Sequence, residues 1–380
     1  MIATISTIKL QEVLDNCVRF VSRSSTLPVL ENIYIKSDWD KLVFKSTDME
    51  KYIQFETNAD IQAAWGLTVN AKVFSDIIKT IDDSEVKIEI DENNESMTIN
   101  TSYDKFKVKW ISSSEYVAAP NIESENTVSV WIEDISKWID KVSYAVTERN
   151  FSPVLTWVLI KIKKEENWNK LVFVWTDSLR LAEYKMPYSW GFQEMEIVVP
   201  KVNIVDIKKM IDYIWEKWWE YIDISFSENM VCFKWIIDES VIFATSVLIQ
   251  WNFPNYDNDN IIPRNYNTTV SLNKYELEKS IKKISILTRD VNNFVKISTQ
   301  DWKILVNSWE TDKWEADTNI TAQIDWEDFK IWINWKYILD FVKTISSDNI
   351  LINIVDNEKP VVFKDDLDEN LVYVIRPLVE

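Results

Sequence analysis

Histidine is absent from this sequence. That removes the commonest general base, every Ser-His-Asp arrangement and every imidazole metal ligand. The two cysteines, Cys17 and Cys232, are too few and too distant in sequence for a zinc site or a disulfide framework. Cys17 falls on an apolar helical stripe with Leu10, Val13, Leu14, Val18 and Val21, and Cys232 lies in the strand-like run Met230–Phe233, so both read as core residues. No stretch reaches the roughly 18 consecutive apolar residues of a membrane helix. Met1 to Leu10 lacks the basic-then-apolar pattern of a signal peptide, so a cytoplasmic location with no membrane partner is expected. No cofactor and no metal are expected.

Glycine is nearly missing as well. The chain has 2 Gly and 20 Trp in 380 residues, where ordinary usage would give roughly 27 Gly. The tryptophans stand where glycine belongs. Asp38-Trp39-Asp40 and Asp301-Trp302-Lys303 each separate two strand-like runs, at points where a hairpin turn calls for positive φ. Glu166-Asn167-Trp168-Asn169 has the same form. Trp65-Gly66 and Trp190-Gly191 read naturally as Gly-Gly, and Trp218-Trp219 follows a helix, where a terminal Gly is usual. The pattern is that of a gene in which UGA encodes glycine but has been read as tryptophan. The alternative is a genuinely Trp-rich, acidic, β-rich carbohydrate binder that uses indole platforms.

What is present is a plan repeated three times. Each repeat has an amphipathic helix, short strands, a second helix and further strands. The apolar periodicity predicts first helices near 7–23, 132–149 and 272–290, and second helices near 70–82, 200–212 and 334–345. Ile132, Ile135, Ile139 and Val142 line one face of the second repeat's first helix; Leu277, Ile281, Ile284 and Leu287 do so in the third. Pro200 is expected at a helix start, where its missing N–H costs nothing. Strands are expected at Asn32–Lys36, Lys41–Ser46, Val86–Ile90 and Lys105–Lys109. Linkers are expected near Ala119–Asn126 and Pro254–Thr268. The class is therefore α+β, with domains at 1–122, 123–256 and 257–380.

The net charge is −19, but it is unevenly placed. The six helical spans hold 18 Lys and Arg against 14 Asp and Glu, a net of +4, which leaves −23 for the strands and loops. Mildly basic helices could face phosphate while the remaining surface repels it, and a weak attraction permits sliding. Paired carboxylates such as Asp82-Asp83 and Asp365-Asp366 would be a hydrolase's resource, but they sit in turn-like sequence and read as solvated loops.

Several segments together resemble one family. Thr26-Leu27-Pro28-Val29-Leu30, Asn32-Ile33, Ser46-Thr47-Asp48-Met49-Glu50 and Lys105-Phe106-Lys107-Val108-Lys109-Trp110, followed by Glu115-Tyr116 and Pro120, are similar to the first domain of bacterial DNA polymerase III beta subunits, the sliding clamps. Pro153-Val154-Leu155-Thr156-Trp157-Val158, Thr176-Asp177-Ser178-Leu179-Arg180-Leu181-Ala182, and Phe253-Pro254-Asn255-Tyr256 with Ile261-Ile262-Pro263 resemble the second. Asn334-Trp335-Lys336-Tyr337-Ile338-Leu339-Asp340 and Tyr373-Val374-Ile375-Arg376-Pro377-Leu378 resemble the third. The resemblance runs in order along essentially the whole chain. The family carries Gly where this chain has Trp39, Trp110, Trp157, Trp251, Trp332 and Trp335, in keeping with the glycine reading.

The resemblance implies three similar domains of the DNA-clamp fold, helices inside and sheets outside, in a head-to-tail ring dimer around double-stranded DNA. It implies no catalysis and no base readout. It implies as partners a replicative polymerase subunit, a clamp loader and other proteins with a clamp-binding motif. By position, the partner-peptide groove would comprise Leu155, Thr176, Leu179, Arg180, Leu181, Pro254, Ile261, Val374 and Arg376. DNA would be met by Arg23, Lys72, Arg149 and Lys201, with Lys208, Lys209, Lys279, Lys282 and Lys283 as further candidates. Two positions depart from the pattern: Ser178-Leu179 replaces a Gly followed by an aromatic or His, and Arg376 stands where Met is common. A preference for a more acidic peptide is the expected consequence.

Overall fold

The computed structural model describes residues 2–117, 126–145, 157–164, 169–188, 194–215, 221–288, 293–300, 302–308, 316–326 and 328–379. The chain divides into two compact units, Met1–Ser136 with Val202–Ile249, and Lys137–Lys201 with Gln250–Glu380.

Six helices fall where the periodicity places them: α1 (Thr7–Cys17), α2 (Ala71–Ile78), α3 (Ile132–Ser143), α4 (Lys201–Trp215), α5 (Lys274–Thr288) and α6 (Trp335–Val342). Three begin on an asparagine whose side-chain oxygen accepts from the first turn. Asn70 accepts from the Val73 N–H, Asn273 from those of Tyr275 and Glu276, and Asn334 from that of Lys336. α1 is shorter than the apolar stripe suggests. After Cys17 the bonds tighten to the three-residue type, Arg19 N–H to Asn16 and Phe20 N–H to Cys17, and the Ser22 N–H turns away to the carbonyl of Leu30. Val21 and Arg23 are therefore not helical. Pro200 is the last residue of the strand Met195–Pro200, with α4 starting at Lys201. The expected linker at 119–126 lies almost wholly outside the described residues.

The first unit holds two antiparallel sheets. One runs Asp60–Ile61, Ile2–Ser6, Glu85–Asp91, Ser96–Asn100, Lys105–Lys109. The other has nine strands, in the order Ile111–Ser112, Gly66–Asn70, Asn32–Asp38, Lys41–Thr47, Lys51–Asn58, Ser240–Val247, Met230–Ile237, Tyr221–Phe226, Asn126–Trp131. Strands from the expected first and second domains thus share one sheet, joined through Lys51–Asn58 and Ser240–Val247 with Ile53 opposite Ala244. Lys51 is buried beside this seam. It pairs with Asp206 and lies over the Phe20 ring. α1 packs against α2 and against the inner side chains of both sheets, around Leu10, Phe20, Phe44, Phe55 and Phe74.

The second unit holds a twelve-stranded antiparallel sheet. Its order is Met195–Pro200, Trp157–Lys164, Asn169–Thr176, Arg180–Tyr188, Leu371–Ile375, Val361–Asp365, Asn349–Ile354, Thr268–Asn273, Asp317–Trp326, Lys303–Ser308, Phe294–Gln300, Lys330–Asn334. Here strands of the expected second and third domains are joined by Arg180–Tyr188 and Leu371–Ile375. α5 packs on α6, and the core gathers Phe341, Phe363 and Tyr373, with the Phe341 and Tyr373 rings stacked 5.1 Å between centroids.

Candidate functional site

The seam of the second unit assembles most of the groove candidates. The turn that opens it is built by Asp177. One carboxylate oxygen accepts from the main-chain N–H of Leu179 at 3.0 Å and of Arg180 at 2.9 Å, and the Thr176 hydroxyl donates to the Arg180 carbonyl at 2.8 Å. Ser178 carries φ +71°, the left-handed conformation that a glycine would adopt more cheaply. The turn leaves Leu179 half-exposed, at 50%.

Register then sorts the side chains. Thr176 opposes Leu181, Leu181 opposes Val374, and Val374 opposes Val362, so these lie in one row on one face. Leu181 and Val374 are each 3% exposed, whereas Thr176 is partly open. Arg376, two residues beyond Val374, is exposed on the same side by alternation, and its main-chain N–H donates to the Leu179 carbonyl at 2.8 Å. The linker is fastened to this face. Glu183, next along from Leu181, is buried and accepts from the Tyr256 hydroxyl at 3.0 Å and from Lys185 at 2.7 Å. Burial, with Glu183 beside it, pushes the Tyr256 hydroxyl well above its ordinary pKa. Phe253 and Tyr256 are buried edge to face, while Pro254 is exposed and Ile261 half-buried.

Arg180 does not join that row. With Ala182, Tyr373 and Ile375 it points to the other face, toward α6. Its guanidinium meets Asp177 at 3.0 Å and Asp340 at 2.7 Å and stacks 4.3 Å above the Tyr337 ring. Burial opposes its charge, but Tyr373, Asp340 and Asp177 outweigh it and hold the group firmly protonated. Asp340, Tyr337, Glu183 and Tyr256 were not singled out as individual site residues by the sequence. The only signal for Tyr256, Tyr337 and Asp340 was membership of the segments around 253–256 and 334–340, and Glu183 lies one residue past the segment Thr176–Ala182. Leu155 lies outside the described residues.

The basic candidates separate by partner. Lys208 pairs with Asp212 at 2.6 Å, Lys209 with Asp206 at 3.1 Å and Lys282 with Glu278 at 2.5 Å, all within their own helices. Lys72 on α2 and Lys279 and Lys283 on α5 are exposed without an ion pair among the described residues, although Lys279 lies over the Tyr275 ring. Lys201 is the first residue of α4 and half-buried. Arg23 is exposed in the loop after α1, and Arg149 lies outside the described residues.

Other chemistries find little support. Among the described residues no cluster of three acidic, cysteine or histidine side chains could hold a metal. Burial pushes the Cys17 thiol up to about 12, and it raises Cys232 as well, so neither is a thiolate at neutral pH. Asp365 is buried at the end of the strand Val361–Asp365 rather than in a solvated loop and accepts from the main-chain N–H of Ser346 and Leu367, while Asp83 accepts from that of Ser102, so both carboxylates tie chain segments together. Among the described residues no helix is long and apolar enough to cross a membrane.

Known proteins share both sequence and fold. Family models described as the N-terminal, central and C-terminal domains of the DNA polymerase III beta subunit match residues 1–120, 130–255 and 259–379. A beta sliding clamp of Staphylococcus aureus strain Mu50 is 25% identical over 378 residues, covering 96% of each chain. The DNA polymerase sliding clamp of Bacillus subtilis superposes with a TM-score of 0.91 at 25% identity, covering 100% of this chain and 99% of that one. That of Caulobacter crescentus gives 0.91 at 23%, covering 100% of both. With all three domain types matched in order from end to end, the chain belongs to the DNA polymerase III beta subunit family.

Proposed function

We propose that this protein is a DNA sliding clamp, a processivity factor in DNA replication that encircles duplex DNA and tethers the replicative polymerase and other DNA-processing proteins to it. The observation that carries the reading is the ordered match of all three beta-subunit domains, together with a fold likeness that spans the chain. It acts in the cytoplasm as a scaffold without catalytic residues of its own. Two chains close head to tail into a ring, with domain limits at 1–122, 123–256 and 257–380. A ring holds DNA by topology, so it requires few phosphate contacts and no base readout. Lys72, Lys279, Lys283 and Arg23, which make no ion pair among the described residues, are best suited to phosphate, with Lys201 and Arg149 assigned the same role by the resemblance. The self-paired Lys208, Lys209 and Lys282 contribute less.

Partner proteins, including a polymerase subunit and a clamp loader, dock a short apolar peptide on the face of Thr176, Leu179, Leu181, Pro254, Ile261, Val374 and Arg376, and the family resemblance adds Leu155 to these contacts. Arg180 supports that face from behind. A buried Leu or Phe of the peptide contributes about 1.5–3 kcal/mol before ordering costs.

The native protein carries glycine at most of the tryptophan positions. Trp39 and Trp302 have φ of +53° and +62° and are 92% and 78% exposed, the geometry and setting of turn glycines. Buried indole N–H groups of Trp65, Trp110, Trp138, Trp175, Trp235 and Trp335 have no hydrogen-bond partner among the described residues, each an expense of about 1–3 kcal/mol. The Trp138 and Phe173 ring centroids lie 3.3 Å apart, closer than the roughly 4.5–7 Å separation at which ring pairs are found. These features favour glycine over the carbohydrate-platform reading.

The test of the function is retention on DNA after loading. Protein loaded on closed circular DNA should stay bound through gel filtration and leave when a restriction cut gives the DNA ends. Equal retention on both forms defeats the proposal. Codon sequencing and mass spectrometry of the native protein test the glycine reading separately.

A further inference from the structure

Arg376 is exposed and makes no ion pair among the described residues, in a chain with 61 acidic against 42 basic side chains. The acids of the adjoining strands and helix are committed elsewhere. Glu183 is bound by Tyr256 and Lys185, and Asp177 and Asp340 are bound by Arg180 on the opposite face. The main chain around it is also used. Its N–H donates to Leu179, and Val374 is paired on both sides, to Leu181 and to Val362. An arriving peptide cannot add here as another strand, so it must be read through its side chains.

Two apolar groups flank the reading position. Leu179 stands half-exposed directly across the strand pair, and Leu378, two residues on, is 39% exposed, its own N–H donating to the Trp332 carbonyl. A guanidinium between such groups is partly desolvated once an apolar anchor settles beside it. Its planar fork then matches a carboxylate better than a water shell does. Resting on the partner-groove reading above, we infer that Arg376 selects the class of peptide this protein accepts: one that carries an aspartate or glutamate next to its apolar anchor residues.

The experiment uses the full-length protein and two fluorescent octapeptides with Leu and Phe anchors, identical except for a central Asp or Asn, read by anisotropy. The Asp peptide should bind about three- to thirty-fold tighter, the span from an exposed ion pair to a charge-assisted hydrogen bond. Arg376→Met should bring that ratio to about one while still binding both peptides, Arg376→Lys should keep part of it, and added salt should compress it. Equal binding of the two peptides by the unmodified protein, or a ratio that survives Arg376→Met, overturns the inference and leaves the groove reading intact. Binding of neither peptide, by a protein that still loads on circular DNA, overturns the groove reading and the inference with it.

Discussion

The main-chain N–H of Arg376 donates to the carbonyl of Leu179 at 2.8 Å, closing the end of the strand pair that joins Arg180–Tyr188 to Leu371–Ile375. The bond ties a turn in the middle of the sequence to the last residues of the chain. It sets two accessible side chains, one apolar and one cationic, beside the covered Leu181, Val374 and Val362. That difference in exposure separates binding from stability.

Leu179→Ala should weaken peptide binding without lowering the unfolding midpoint, because the side chain is already half in water. Leu181→Ala, at a position 3% exposed, should instead destabilise by about 2–5 kcal/mol through the cavity left behind. Paired urea titrations and peptide anisotropy check the contrast, and equal stability losses in the two variants would contradict it.

Arg180→Ala leaves Asp177 and Asp340 facing a void on the α6 side. Breaking such a pair should cost about 3–5 kcal/mol. Arg180→Lys should recover only part of this, since an ammonium cannot reach both carboxylates and lie flat on Tyr337. Denaturant midpoints of the two variants provide the measurement.

The Asp365 carboxyl is buried, and burial works to raise its pKa. The hydrogen bonds from Ser347 and from the Leu367 and Ser346 N–H groups, with Lys141 nearby, win and hold it below its ordinary value. Its contribution is therefore complete above the unfolded carboxyl's pKa and is lost as pH falls through the lower folded value. Asp365→Asn should lower stability near pH 7 by about 1.5–3 kcal/mol, and the gap from the unmodified protein should narrow as the solution is acidified toward pH 3. A gap that does not depend on pH would assign the loss to packing.

Removing a cation with no ion pair among the described residues should matter more on DNA than removing one paired within its own helix. Lys72→Ala and Lys283→Ala should each reduce the salt slope of binding to open duplex by up to about 0.9. Lys208→Ala, which also removes the ion pair to Asp212, should change the slope less. Salt titrations by fluorescence anisotropy distinguish them.

Trp39→Gly and Trp302→Gly should stabilise the protein made with tryptophan, by about 1 kcal/mol each, since both positions hold a left-handed backbone that a bulky side chain resists. Thermal melting of the two single variants checks this. Unchanged or lower melting points would show that the indoles are accommodated at these turns.

The sequence by itself determined the local structure and the membership. The apolar periodicity located helices α1–α6, while the asparagine caps at Asn70, Asn273 and Asn334 emerged with the structure. Trp39 and Trp302 marked turns where the backbone does run left-handed. The ordered segments identified the family. These signals are written within a few residues of one another, where hydrogen bonding and steric limits act directly. Only the tertiary structure decided that α1 ends at Cys17, because the carbonyl of Leu30 draws the chain away at Ser22. It also decided that the sheets run through the expected domain limits, and that Arg180 turns to α6 while Leu181 and Val374 share the other face. Those outcomes depend on which residue of one strand meets which residue of a strand far along the chain. A shift of one residue would exchange the two faces, and no local pattern specifies that register.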